Sequence, residues 1–268
     1  MKEYINHIFN EDCMKTMKHL PQHCVDVVLT SPFYNTNMKA AGGRLITDGK
    51  SGNEYARYDK FVDVMTNDDY CNFTVELFRG YDKVLKKDGC VLYNISYGNE
   101  NSECMFLAVA DILKQTNFTI ADCIIWKKKS ALPACLSTNK LTRITEFVFV
   151  LCRREDYRTF HCNKKQVSIR PTGQKMYENI FNLIEAANND GPNRFNAATY
   201  STELCEKLFS LYAPRGGVIY DSFMGTGTTA VAAKRLGLKY IGSEISKNQC
   251  DYAEKRIRDA YTSLKLFE

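Results

Sequence analysis

The sequence predicts an α/β fold with a mostly parallel sheet, and three observations carry that prediction. Six short segments are rich in β-branched, aromatic and aliphatic residues: Val25–Thr30, Cys90–Ile95, Ile120–Trp126, Phe147–Cys152, Val218–Asp221 and Tyr240–Glu244. They are apolar along their length, as strands covered on both faces are. Helix-period runs separate several of them, so strands and covering helices should alternate. With 268 residues, the chain can bury roughly 70–75% of its unfolded surface without covalent staples.

In chain order, the N-terminal MKEYINHIFNEDC carries charges where a signal peptide has its apolar core, which points to a cytoplasmic protein. Val25–Thr30 then runs into Ser31-Pro32-Phe33-Tyr34. Proline ends a ladder there, and two large aromatics follow where a polar turn is expected. The stretch 36–58 holds Gly42, Gly43, Gly49 and Gly52 with little periodicity. It reads as a long mobile loop of the kind that forms a lid. Tyr70, Phe73, Leu77, Tyr81, Val84 and Leu85 fall on one helical face. So do Phe106, Val109 and Leu113, and later Leu204, Leu208, Leu211 and Tyr212. Between the last two sets, 153–196 is polar, basic and asparagine-rich, with Pro171-Thr172-Gly173 and Asp190-Gly191-Pro192. That stretch is either an insertion or a substrate-facing subregion.

No apolar run approaches the ~18–20 residues that span a bilayer. Net charge is +5, and its distribution says more than its size. Lys127, Lys128, Lys129, Lys140 and Arg143 occur together without an acid. Arg153, Arg154, Arg158, Lys164, Lys165 and Arg170 follow against only Glu155 and Asp156. The two stretches fit a polyanion surface or a solvated basic face. The eleven cysteines are odd in number and scattered, with no C-x-x-C, so reduced core thiols are expected. Four histidines without paired ligand spacing give no metal site.

Residues 218–237, VIYDSFMGTGTTAVAAKRLG, form a second landmark. A strand ends at Asp221, Gly225-x-Gly227-x-x-Ala230 follows, and Thr228 to Leu236 reads as a helix ended by Gly237. The pattern fits the dinucleotide fingerprint, with Glu244 ending the next strand about 20 residues on. Glycines let a ligand approach the backbone, a helix start presents free N–H groups, and a carboxylate can take both ribose hydroxyls. No Gly-Lys-Ser/Thr follows, which excludes a P-loop. Only about forty residues follow Gly225, too few for a substrate domain. The catalytic groups therefore lie upstream.

Taken together, the two motifs resemble the DNA amino-methyltransferases that use S-adenosylmethionine. Their catalytic motif, (Asp, Asn or Ser)-Pro-Pro-(Tyr or Phe), is matched by Ser31-Pro32-Phe33-Tyr34. Their cofactor motif, Asp-Pro-Phe-x-Gly-x-Gly-Thr-Thr, is matched by residues Asp221 to Thr229. With the catalytic motif first, the order resembles the beta class. Phe33 and Ser222 stand where that family has proline, Asn10 where it has glycine, and 196–201 lacks its His-Pro.

The resemblance implies a Rossmann-like methyltransferase sheet with circularly permuted motif order and a small target-recognition insertion. It divides the chain into a catalytic half (1–152), a target-recognition region (153–196) and a cofactor half (197–268). It implies that the Ser31 hydroxyl and Pro32 carbonyl accept from the amino group of a flipped base, Phe33 walls the pocket and Tyr34 stacks on the base. For S-adenosylmethionine it implies Asp12 near the adenine, Asp221 near the methionine amino group, Glu244 on the ribose, and Phe223, Gly225, Gly227 and Thr228 around them. Double-stranded DNA would lie on the 36–58 loop and on Lys127, Lys128, Lys129, Arg143, Arg153, Arg154, Lys164 and Lys165. Serine at the first motif position leans toward cytosine-N4 over adenine-N6. A cognate restriction nuclease is an implied partner, and monomer and homodimer both stay open. The alternatives are an RNA or protein amide methyltransferase and an NAD-dependent oxidoreductase.

Overall fold

The computed structural model describes residues 1–35, 65–96, 101–130, 138–139, 141–191, 196 and 199–265. The glycine-rich stretch 36–58 and Lys140 lie outside them. The first half contains β1 (His7–Phe9), α1 (Cys13–His19), β2 (Val25–Thr30), α2 (Asn67–Val84), β3 (Leu85–Ile95), α3 (Cys104–Gln115), β4 (Phe118–Lys128) and β5 (Thr145–Arg153). The second contains β6 (Gln166–Ile169), β7 (Lys175–Tyr177), β8 (Leu183–Ala186), α4 (Thr202–Tyr212), β9 (Val218–Asp221), α5 (Thr228–Arg235), β10 (Lys239–Ser243) and α6 (Lys247–Lys265).

Eight strands form one sheet in the order β1-β10-β9-β2-β3-β5-β4-β8, and β6 and β7 pair as a separate antiparallel ribbon. Within the main sheet every pairing is parallel except the two made by β5. The mostly parallel sheet is as expected, and the reversal of β5 is new.

Alternation along each strand sends side chains to two cores. Val27, Leu29, Leu92, Val148 and Ile219 face Leu204, Leu208, Val231 and Ile257 of α4, α5 and α6. Val28, Val91, Tyr93, Leu151 and Tyr220 face Met17, Leu77, Phe78 and Ile112 of α1, α2 and α3. Register shifts at Val25/Val27 and at Ile120/Asp122 change which residues face each core. Ten of the eleven cysteines are described, and all ten are free thiols.

Local signals explain most boundaries. Thr66 caps α2 by accepting from the Asp69 N–H, and Ser201 caps α4 by accepting from Leu204. The face expected for α3 is rotated: Met105, Ala108, Val109 and Ile112 are buried, whereas Phe106 is 43% exposed and packs edge-on against Phe147. Strands β1, β6, β7 and β8 are three or four residues long and partly or wholly exposed. They lack the apolar run that marks a strand in sequence. Among the described residues no helix is long and apolar enough to cross a membrane.

Candidate active site

Parallel strands bring their carboxyl ends to one edge. From β9 the chain passes through α5 to β10 on one side, and from β2 through α2 to β3 on the other. The strand order therefore reverses between β2 and β9, the place where open α/β sheets bind ligands. The loops after β1, β2, β9 and β10 all leave that edge, carrying Asp12, Ser31, Ser222–Thr228 and Glu244 respectively.

They enclose a cavity of about 300 Å³, within the range of small-ligand sites. Of the residues expected from sequence, Asp12, Ser31, Phe33, Phe223, Gly225, Thr228 and Glu244 line it. Glu244 Oε2 accepts the Gly225 N–H at 2.8 Å and Oε1 the Ser246 N–H at 2.8 Å. Those two backbone donors fix the orientation of an acceptor-only carboxylate in the cavity wall. Asp12 caps α1 through the Met14 N–H at 2.7 Å, which fixes its carboxylate at the cavity rim. Gly225 turns with φ 53°, and an added Cβ would come within 3.4 Å of Asn196 Nδ2 and Gln249 Oε1. Those two side chains bond each other at 3.2 Å and close one wall.

Phe33 is buried against Phe73, Tyr70 and Phe223, and its carbonyl accepts the Tyr70 hydroxyl at 2.7 Å. Pro32 is buried. Tyr34 is half-buried, with its hydroxyl 2.9 Å from Ser31 Oγ and 3.2 Å from Glu146 Oε2. Asn35, at φ 44°, exchanges two hydrogen bonds with the backbone of Met65, which anchors the end of the motif.

Two residues expected around the cofactor do not line the cavity. Asp221 is 1% exposed and does not line the cavity. Its Oδ1 accepts from Thr30 Oγ1 and the Phe223 N–H, both at 3.0 Å, and its Oδ2 from Tyr200 Oη at 3.0 Å and Thr229 Oγ1 at 2.6 Å. Burial raises its pKa, against the lowering effect of those hydrogen bonds. The group ties the ends of β2 and β9 together and sits behind the cavity wall. Gly227 also stands behind the cavity: a Cβ there would lie 2.7 Å from that of Ala253 in α6.

The basic residues separate by edge. Lys127, Lys128 and Lys129 end β4 on the cavity side, paired with Glu185, Glu146 and Glu203, and Arg143 precedes the start of β5 there. Because β5 runs backwards for nine residues, roughly 30 Å, Arg153 and Arg154 emerge at the opposite edge. Arg153 is 6% exposed and bonds the carbonyls of Asp82, Leu85 and Lys86 together with the Asp82 carboxylate. It is therefore a buried brace, not a nucleic-acid ligand. Asn163 binds the carbonyls of Ser210 and Ala213 at the end of α4, so exposed Lys164 and Lys165 follow at that far edge too. Of the described residues in 153–196, those near its end return toward the cavity: Asn196 lines it, and Asp190 meets Arg256, which also holds Thr226 and Thr228.

Sequence reading missed Glu146, Asn196, Tyr200, Gln249 and Arg256. They are single polar residues in helices, strands or loops, and only the packing of distant segments makes them part of the site.

A family model described as DNA methylase matches residues 25–255. The Type II methyltransferase M.HinfI of Haemophilus influenzae is 24% identical, covering 97% of this chain and 70% of its own length. The solved structure of the PvuII DNA methyltransferase (cytosine-N4-specific) shares the fold with a TM-score of 0.67 at 15% identity, over 95% of this chain and 90% of that one. The M1.HpyAVI–SAM complex does so at 0.55 and 20%, over 94% and 98%.

Proposed function

This chain belongs to the N6/N4 DNA methylase family, and on that premise we propose how its residues divide the work and which base they favour. It is an S-adenosylmethionine-dependent DNA amino-methyltransferase. We assign the favoured target as cytosine-N4, ahead of adenine-N6. The observation that carries the residue assignment is that Ser31 and Glu244, 213 positions apart, line one cavity at the strand-order reversal.

The cavity suits the cofactor. Glu244 sets an acceptor-only carboxylate in the lining where ribose hydroxyls can donate, Phe223 gives an apolar wall, and Gly225 lets a ligand reach the backbone. Asp12 and Thr228 add polar groups to the lining. When bound, S-adenosylmethionine supplies an electrophilic methyl group on a positively charged sulfur.

The amino nitrogen of cytosine or adenine is a poor nucleophile, because its lone pair is delocalised into the ring. The Ser31 hydroxyl and the Pro32 carbonyl accept its hydrogens and draw it toward tetrahedral geometry, which localises that pair. Preorganised polar groups of this kind contribute a few kcal/mol each. Pro32 fixes the direction of its own carbonyl. Tyr34 stacks on the base, and the base leaves the duplex because its amino group is otherwise paired. Lys127, Lys128, Lys129 and Arg143 lie on the edge that duplex DNA must approach. Serine at position 31 resembles the cytosine-N4 enzymes more than the adenine-N6 ones, which supports the cytosine preference. One neighbour of the same fold is named as cytosine-N4-specific. The Type II name of M.HinfI supports a restriction–modification setting with a cognate nuclease.

Methylation-aware sequencing of DNA from cells with and without the gene, with mass analysis of the nucleosides, tests this reading. N4-methylcytosine at one recurrent site is expected, and Ser31→Ala should abolish it. N6-methyladenine alone would overturn the choice of base, and unchanged methylation by Ser31→Ala would overturn the role of Ser31.

A further inference from the structure

Glu146 is the second residue of β5, beside the cavity, and its side chain is only 12% exposed. One carboxylate oxygen meets Lys128 Nζ at 2.6 Å, and Lys128 in turn lies 5.1 Å from the centre of the Trp126 ring. The other oxygen accepts from Tyr34 Oη at 3.2 Å and from Asn94 Nδ2 at 3.3 Å. Asn94 also bonds the Phe147 carbonyl at 3.1 Å, which fixes the orientation of its amide. Tyr34 Oη is 2.9 Å from Ser31 Oγ, and Ser31 faces the cavity.

The chemistry of these groups gives the chain a direction. A carboxylate paired with an ammonium is acceptor-only, and a tyrosine has a single O–H. With that O–H donated to Glu146, the contact between the two hydroxyls can be made only by the Ser31 O–H donating to Tyr34. The Ser31 proton is then committed away from the cavity, and its lone pairs are what the cavity receives. A carboxylate at position 31 would be acceptor-only by itself, whereas a serine is ambivalent and needs its direction imposed from outside.

We propose that Glu146, acting through Tyr34, holds Ser31 as a pure acceptor for the target amino group and receives the proton which that group releases. This rests on the reading of Ser31 given above. As the nitrogen forms its bond to the methyl carbon, the carbon–sulfur pair stays with sulfur and the nitrogen becomes cationic. One N–H bond then breaks, its electron pair returning to nitrogen. The proton moves to Ser31 Oγ as the Ser31 proton passes to Tyr34 Oη and the Tyr34 proton to Glu146 Oε2. Glu146 ends protonated and later loses the proton to water. Glu146 is thus a positioning residue before transfer and the terminus of a relay after it.

The test compares Ser31→Ala, Tyr34→Phe, Glu146→Gln and the Tyr34→Phe/Glu146→Gln double variant. Single-turnover rates are measured on duplex DNA carrying the methylation site, and cofactor and DNA affinities are titrated separately. Tyr34→Phe keeps the stacking ring and removes one oxygen, so it carries the test even if Glu146→Gln proves unstable. Tyr34→Phe and Glu146→Gln should each slow transfer by about tenfold or more, with cofactor and DNA affinities within about twofold of wild type. The double variant should be no slower than Tyr34→Phe alone, since one chain is broken twice. A binding readout runs beside it: wild type should prefer the duplex over one whose target base lacks its amino group, and both variants should lose that preference. Wild-type rates in Tyr34→Phe and Glu146→Gln with a slow Ser31→Ala would overturn this inference and leave the Ser31 reading standing. A wild-type rate in Ser31→Ala would overturn the reading on which it rests.

Discussion

Two glycines that look equivalent in the motif have different neighbours, and their substitutions should differ in kind. At Gly227 the backbone has φ 81°, and a Cβ would stand 2.7 Å from that of Ala253. Gly227→Ala therefore combines backbone strain with overpacking against α6, at a cost of roughly 2–3 kcal/mol. A thermal melt should show Tm lower by roughly 5–10 °C. At Gly225 the same change meets the ends of Asn196 and Gln249 at 3.4 Å and the Phe223 carbonyl at 3.8 Å, although φ 53° still carries strain. Gly225→Ala should cost less stability but lower cofactor affinity in a titration, because it pushes on a cavity wall. Ser31, Phe33, Phe223 and Glu244 were legible from residue type and motif spacing. The place of Asp221 was not: four donors from three separate segments saturate it, and none of those pairings is visible along the chain.

Strand direction decides what the second basic stretch does. β5 runs antiparallel to both its neighbours, so its end lies far from the cavity. Arg153→Ala should destabilise the fold by roughly 3–5 kcal/mol, as loss of one partner in a buried charged cluster does. Lys127→Ala, on the cavity edge, should leave Tm nearly unchanged and reduce the slope of log affinity for DNA against log salt by about 0.9. Denaturation curves and salt-dependent binding separate the two. The start of α4 gives a pH test. Hydrogen bonds from Lys129, the Ala187 N–H and Lys207 lower the Glu203 pKa to about 2. A folded-state pKa below the unfolded value of about 4.3 means that ionised Glu203 favours the folded chain. That contribution is complete above the unfolded value and is lost as pH falls toward about 2. Urea melts across that window should show a shallower acid decline for Glu203→Gln than for wild type.

Across the whole molecule, the cavity couples four loops drawn from both ends of the chain, so a bound cofactor should stabilise the fold as a unit. At a concentration one hundred times its dissociation constant, S-adenosylmethionine should add about 2.7 kcal/mol and raise Tm accordingly. Glu244→Gln removes a charge-assisted acceptor worth about 1.5–3 kcal/mol, and the rise in Tm at the same cofactor concentration should shrink. Ser31→Ala should keep the full rise while losing transfer. Melting with and without cofactor, set beside the transfer assay, distinguishes binding from chemistry.

The sequence by itself determined the fold class, the strands that are apolar from end to end, and the two motifs that define the cavity. Each of those signals is local: an apolar run marks a doubly covered strand, and glycines at fixed spacing mark a tight turn into a helix. Tertiary structure alone decided the reversal of β5, the retreat of Arg153 and Asp221 into the interior, and the meeting of Ser31, Tyr34 and Glu146. These depend on how segments tens to nearly two hundred residues apart pack together. Charge and hydroxyl groups carry no mark in the sequence of which partner they will find.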